Sequence, residues 1–240
     1  MANEYCLVLS DELQAEYYKF ERGETCDTEM VKRLLHYYKA PFLTNIAQIE
    51  RTGVKIGKTL EVALRKAGFK QQSLEDLAKK TVYKVILTTG SDQFPYINIY
   101  NDKIENNFCG CFFRNESRSK AIDHIKALCE DALEICIYDK YFSQKNGMQN
   151  LRLLSSLLPN KKLEIVCDSR HIEADDIVWL QRYCSYWVFN KQRLDSYHDR
   201  YLVIDKRTEV ILTSGFDHLG STTNEFSYIV RPVSQQRFAI

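Results

Sequence analysis

Six short runs of aliphatic and aromatic residues punctuate the second half of the chain: "LEICIY" (133–138), "KLEIVC" (162–167), "YWVF" (186–189), "RYLVID" (200–205), "EVILTS" (209–214) and "FSYIV" (226–230). Their length and their β-branched and aromatic content are those of strands. Stretches of helical period separate the first three. "ESRSKAIDHIKALCEDA" puts Ile122, Ile125 and Leu128 on one face; "GMQNLRLLSSLL" and "EADDIVWLQRYC" follow the first and second strands. Strand–helix alternation that ends in a run of strands predicts an α/β sandwich on a mixed sheet over residues 115–240.

Residues 1–100 read differently, as a helix-rich region of unassigned role. Ser10 stands as an N-cap before "DELQAEYYKF", and "DTEMVKRLLHYYK" repeats that start with Met30, Leu34 and Tyr37 at helical spacing. "KTLEVALRKAGF" ends on Gly68, a C-cap signal, and "SLEDLAKKT" is a short capped helix. Strands are expected at 83–89 and 96–100, and around 107–113.

With 33 Lys plus Arg against 32 Asp plus Glu, the formal charge is +1, so no global field draws the molecule to nucleic acid or anionic membrane. Phosphate binding would need a local patch. Apolar residues make up 45% of the 240, enough for a core in one large domain or two small ones. Most of the 8 cysteines sit inside apolar runs, and the close pair Cys109 and Cys111 lacks the second pair that a zinc set requires. Reduced thiols, no metal and no cofactor are expected. The start "MANEYCLVLSDEL" is charged, and no apolar stretch nears the roughly 20 residues that span a bilayer. The expected location is cytoplasmic.

The strands at 200–205 and 209–214 are bracketed by polar residues for which a buried strand has no use. "SYHDRYLVID" opens on His198, Asp199 and Arg200, and "EVILTSGFDHL" closes on Ser214, Gly215, Phe216 and Asp217. Each polar group needs a partner or water, so this is a solvated hairpin or a set converging on a ligand. His198 and Arg200 are two apart and project from one face of their strand. Asp217 lies in the turn after the neighbouring strand, Glu225 opens the next, and Asp139 and Tyr141 follow the first. All can meet at one end of the sheet. A histidine there can attack a phosphoryl group, a long cation can steady its charge, and a carboxylate such as Glu225 can hold the imidazole tautomer. Plainer readings stand beside these: a satisfied His198, an exposed Glu225, and Asp139 as a local cap. The remaining histidines show no partner pattern. In "HYYKAPF" (36–42) the aromatic and basic residues suit base stacking, or equally an amphipathic helix packing its tyrosines.

In this order the residues resemble one half of a phospholipase D superfamily site: His198, Arg200, Asp205, Ser214 and Gly215 with Asp217, then Glu225. The family's lysine is Arg200 here, its turn amide is Asp217, and the Gly/Ser order is swapped. More specifically, Asp139, Tyr141, Gln149, Asn150, His198, Asp199, Arg200, Gly215 and Asp217 resemble the C-terminal phospholipase D-like domain of MIT-domain proteins, over residues 115–235. The resemblance implies a metal-independent phosphodiesterase with His198, Arg200 and Glu225 catalytic. Ser214, Gly215, Asp217, Asp139, Tyr141 and Asp205 would hold the phosphate. One such set is half of the superfamily's usual site, so catalysis would require a homodimer. Eukaryotic members of the closer family are catalytically silent and bind lipids, while similar domains occur in bacterial conflict and phage-defence systems.

Three readings follow. The chain is a phosphodiesterase, as a nuclease; or a silent module holding a phosphate-bearing ligand, nucleic acid ahead of lipid headgroup; or an assembly subunit whose polar motif only organises a turn.

Overall fold

A computed structural model describes residues 5–143, 147–194 and 199–233. They fall into two compact units, 1–106 and 107–240. The first comprises β1 (Leu7–Leu9), α1 (Asp11–Glu21), α2 (Thr28–Tyr37), β2 (Phe42–Leu43), α3 (Ile46–Thr52), α4 (Lys58–Lys66), α5 (Leu74–Ala78), β3 (Ile86–Thr88) and β4 (Tyr96–Asn98). Its helices start where the sequence places caps. Ser10 accepts from Leu13 N, Asp27 from Met30 N and Ser73 from Asp76 N. Gly68, at φ +79°, ends the turn after α4. These helices cover a sheet of four parallel strands in the order β2-β1-β3-β4; the strands expected at 83–89 and 96–100 supply β3 and β4, while β1 and β2 go beyond the helix-rich reading. Leu7, Val8 and Leu9 are fully buried, as a central parallel strand requires on both faces.

The second unit comprises β5 (Cys109–Phe112), α6 (Ser119–Cys129), β6 (Glu134–Tyr138), α7 (Gly147–Leu157), β7 (Leu163–Asp168), α8 (Ala174–Tyr183), β8 (Trp187–Gln192), β9 (Arg200–Ile204), β10 (Thr208–Leu212), α9 (Phe216–Leu219) and β11 (Phe226–Pro232). It starts ahead of residue 115 because β5 is a strand of its sheet. That sheet runs β5-β11-β10-β9-β6-β7-β8. Strands β6, β7 and β8 are parallel, and α7 and α8 supply the crossovers that parallel neighbours need. Strand β9 then enters antiparallel to β6, and β10, β11 and β5 continue antiparallel. The mixed α/β class expected from the alternation is the one observed, and the strands expected at 133–138, 162–167 and 200–205 share one sheet.

Register places the site. Tyr138 pairs with Tyr201, and Arg200 pairs with Leu212. The end of β6, the start of β9 and the end of β10 therefore lie along one edge. Successive residues of β6 and β9 alternate between the two faces. Ile135, Ile137, Leu202 and Ile204 are buried on one; Cys136, Tyr138, Tyr201 and Val203 form a cluster with Val166 and Leu194 on the other.

No disulfide links the eight cysteines. Burial pushes the Cys129 and Cys136 thiols up to about 12 and Cys167 to about 11, so these stay neutral at physiological pH. Among the described residues, no group of three or more His, Cys, Asp or Glu is arranged to hold a metal, and no helix is long and apolar enough to cross a membrane.

Candidate functional site

Asp139 is the first residue off β6, and its carboxylate turns back into the protein, 4% exposed. Oδ1 accepts from Tyr141 N at 2.9 Å, and Oδ2 accepts from Phe216 N at 3.3 Å, at the start of α9. Burial raises its pKa above the usual carboxylate value. The two backbone donors and the Arg200 charge oppose that shift, and the Asp217 charge adds to it.

Gly215 makes this approach possible. A Cβ there would lie 2.7 Å from Asp139 Oδ2 and 3.4 Å from Cγ and Nε of Arg200. Its backbone sits at φ 77°, ψ −172°, a region essentially closed to other residues. The glycine is required both for its backbone and for its missing side chain.

Arg200 opens β9. Its Nη1 donates to Thr213 O at 3.1 Å, and Cζ lies 5.1 Å from the centroid of the Tyr141 ring. Lys140 Nζ lies 5.0 Å from the same centroid. Nε of Arg200 is buried and meets no acceptor among the described residues. A buried guanidinium N–H without an acceptor is costly, and an anion would satisfy it.

Asp217 does not stand free beside this cation. Its Oδ1 accepts from Asn150 Nδ2 at 2.6 Å, and the same amide donates to Phe142 O at 3.0 Å. Asn150 is 1% exposed, so Asp217 braces α9 against α7. Expected as a phosphate contact, Asp217 is in this structure committed to Asn150.

The loop from Gly220 to Glu225 is held by its main chain. Gln149 Nε2 donates to Gly220 O at 2.5 Å, Arg118 Nη2 donates to Asn224 O at 2.5 Å, and the His218 ring lies 3.3 Å from Glu225 O. The side chain of Glu225 is exposed, at the same edge as Arg200. Ser214 is half-buried in the turn between β10 and α9.

Asp205 is a correction. It follows the last residue of β9, five positions beyond Arg200, and so lies roughly 16 Å along the strand at the opposite edge. There its Oδ1 accepts from Leu133 N at 2.8 Å and Glu134 N at 2.9 Å, which fixes the start of β6. It belongs to the hairpin and not to the site. His198 lies outside the described residues. The structure thus brings Asp139, Tyr141, Arg200, Gly215 and Asp217 together, with Ser214 and Glu225 on the same edge.

Sequence reasoning missed two contributors. Thr213 acts through its carbonyl, which no side-chain pattern reveals. Arg118, 3% exposed, reads in "RNESRSK" as a surface cation, yet it stacks within 5.5 and 5.9 Å of the Phe112 and Phe226 centroids.

No protein-family model and no curated protein matches the chain. Among solved structures it is similar to Nuc from Salmonella typhimurium, a phospholipase D family member, with a TM-score of 0.33 and 13% identity over 53% of this chain and 84% of that one. NucT from Helicobacter pylori aligns with a TM-score of 0.31 and 12% identity, over 51% of this chain and 84% of that one. TrmBL2, an archaeal chromatin protein with a novel mode of DNA binding, aligns with a TM-score of 0.27 and 13% identity, over 51% of this chain and 45% of that one. No residue role follows from likeness at this level.

Proposed function

We propose that the second unit is a phospholipase D-like module that binds a phosphodiester, with Arg200 taking the phosphate. The observation that carries this is the guanidinium itself: tethered at Nη1, placed against the Tyr141 ring, and with a buried Nε–H that has no acceptor among the described residues. Such a group is preorganised for an oxyanion. Nucleic acid stands ahead of lipid headgroup as the ligand, since an aromatic ring beside a phosphate-binding cation also suits a base. The order of motif residues resembling the MIT-associated domain would place the chain among bacterial defence proteins.

A catalytic reading has its own support in Glu225, whose carboxylate is exposed at the same edge and free to face an imidazole. In that reading two chains associate. His198 of one attacks phosphorus as the P–O bond to the leaving group breaks, and His198 of the partner subunit protonates the leaving oxygen; water then cleaves the phosphohistidine. Asp139 and Asp217 take no part, being committed to backbone and amide donors.

The test uses the full chain with single- and double-stranded DNA and RNA in EDTA, beside His198→Ala and Arg200→Ala. EDTA-resistant cleavage lost in both variants supports catalysis. Binding without cleavage, weakened only by Arg200→Ala, supports the silent module. Binding to none of the four nucleic acids removes nucleic acid as the ligand.

A further inference from the structure

The first unit contains a cavity of about 480 Å³. One set of lining residues is aromatic: Tyr17 and Tyr18 from α1, Tyr38 at the end of α2, and Phe42 in β2. Their rings pack against one another. Tyr17 meets Phe42 edge-on at 5.6 Å, Tyr18 meets Phe42 edge-on at 6.1 Å, and Tyr17 lies 5.1 Å from Tyr38 at a 32° tilt. A second set is aliphatic, Leu60 and Leu64 of α4. The stretch "HYYKAPF" is therefore divided between two tasks. Tyr37 is 9% exposed and serves the core, while Tyr38 and Phe42 are only half-buried and line the cavity. An amphipathic helix packing its tyrosines accounts for the first and not for the second.

The charged groups are few and unequal. Arg22 and Lys55 line the cavity against one carboxylate, Glu21. The Arg22 guanidinium donates to the Lys55 carbonyl and lies 5.8 Å from the Tyr18 centroid, so it is fixed at the aromatic set. Gly57, also lining the cavity, is the N-cap of the nine-residue α4 and contributes no side-chain cap; Leu60 N and Glu61 N donate to its carbonyl, which leaves the N–H groups of Lys58 and Thr59 for an anion. Burial pushes the Tyr18 and Tyr38 phenols up, with the Tyr17 hydroxyl adding to the second. The aromatic wall thus carries no charge of its own at physiological pH.

We propose that this cavity binds a nucleotide, its base stacked on the tyrosine wall and its phosphate at Lys55 and the start of α4. The volume lies within the range of small-molecule sites. Stacking on aromatic side chains tolerates any base, because every base has a π-face. A free mononucleotide and the terminal nucleotide of a single strand offer the same chemistry. The proposal is independent of the Arg200 site.

Isothermal titration calorimetry on the full chain carrying Arg200→Ala tests it without a contribution from the second unit's phosphate site. The titrants are AMP, adenosine, inorganic phosphate and a short 5′-phosphorylated single-stranded DNA. AMP should bind saturably, about tenfold or more tighter than adenosine or phosphate alone. Lys55→Glu, at an exposed position, should weaken AMP about tenfold and leave adenosine unchanged. Leu60→Trp, at a position 39% exposed, should fill the cavity and abolish both without lowering the melting temperature. DNA binding tighter than AMP identifies a strand end as the occupant, and AMP binding alone identifies the free nucleotide. Absence of saturable binding of either at millimolar concentration overturns the proposal, as does binding that survives Leu60→Trp.

Discussion

Replacing Gly215 with alanine tests whether the turn between β10 and α9 is held in the way the structure shows. Two costs add. At φ 77°, ψ −172° a side chain strains the backbone by about 1–3 kcal/mol. The new Cβ would also lie 2.7 Å from Asp139 Oδ2, closer than such contacts allow, so the carboxylate or the turn must move. Moving it sacrifices the bond to Phe216 N and disturbs the one to Tyr141 N, about 1–2 kcal/mol. The sum is about 2–5 kcal/mol. For a unit of this size that is a fall in melting temperature of about 6 °C or more, read by scanning calorimetry with the two units' transitions resolved. A double-mutant cycle separates the terms. Asp139→Ala is itself destabilising, but combined with Gly215→Ala the two should cost about 1 kcal/mol less than their sum, because the clash has gone. A shift below about 2 °C, or strict additivity in the cycle, refutes the argument.

Arg200→Ala should weaken a phosphate-bearing ligand by about 1.5–3 kcal/mol, measured by titration with a short oligonucleotide; unchanged affinity removes Arg200 from the site. Asp217→Ala should destabilise the second unit by about 1–3 kcal/mol in urea unfolding, since it strips a partner from the buried amide of Asn150; a loss below about 0.5 kcal/mol would mean the brace is dispensable. Burial raises the folded-state pKa of Asp139 above its ordinary value of 3.8, so the folded chain holds that proton more tightly. Its contribution to stability is complete below the unfolded pKa and is lost as pH rises through the folded one. The stability of wild type relative to Asp139→Asn should therefore fall across that window, and parallel stability–pH curves would contradict the shift.

The second unit was legible because its strands are long enough to show their period. "LEICIY" and "KLEIVC" carry five- and six-residue strands, and the amphipathic stretch between them is the crossover. In the first unit's sheet β3 and β4 were legible and β1 and β2 were not. Strand β1 is three residues buried on both faces, and β2 is two residues. "LVL" and "FL" are too short for alternation to distinguish strand from helix. At the site, the convergence of Asp139, Arg200 and Gly215 was legible because strand ends and turns fix where side chains can meet. Asp205 was misplaced because motif spacing says nothing of strand length, and five residues of extended chain carry a side chain to the far edge. The role of Asp217 was missed because an acid in a turn looks the same whether it faces ligand or a buried amide.

The loop from Gly220 to Glu225 has an evolutionary consequence. Its carbonyls at Gly220 and Asn224 are held by side chains that lie outside it, while Thr222, Thr223 and Asn224 are exposed. Its conformation is thus encoded partly elsewhere, in Gln149 and Arg118, and partly in Ser221, whose hydroxyl accepts from Thr223 N and bonds the Thr223 hydroxyl; the exposed side chain of Thr222 is the one least engaged in either task. Such a position can drift in sequence at little cost to the scaffold while standing beside the edge that carries Arg200. Diversity among descendants of this chain should therefore collect at position 222 ahead of 221 and 223, where changing what is recognised need not change what is folded.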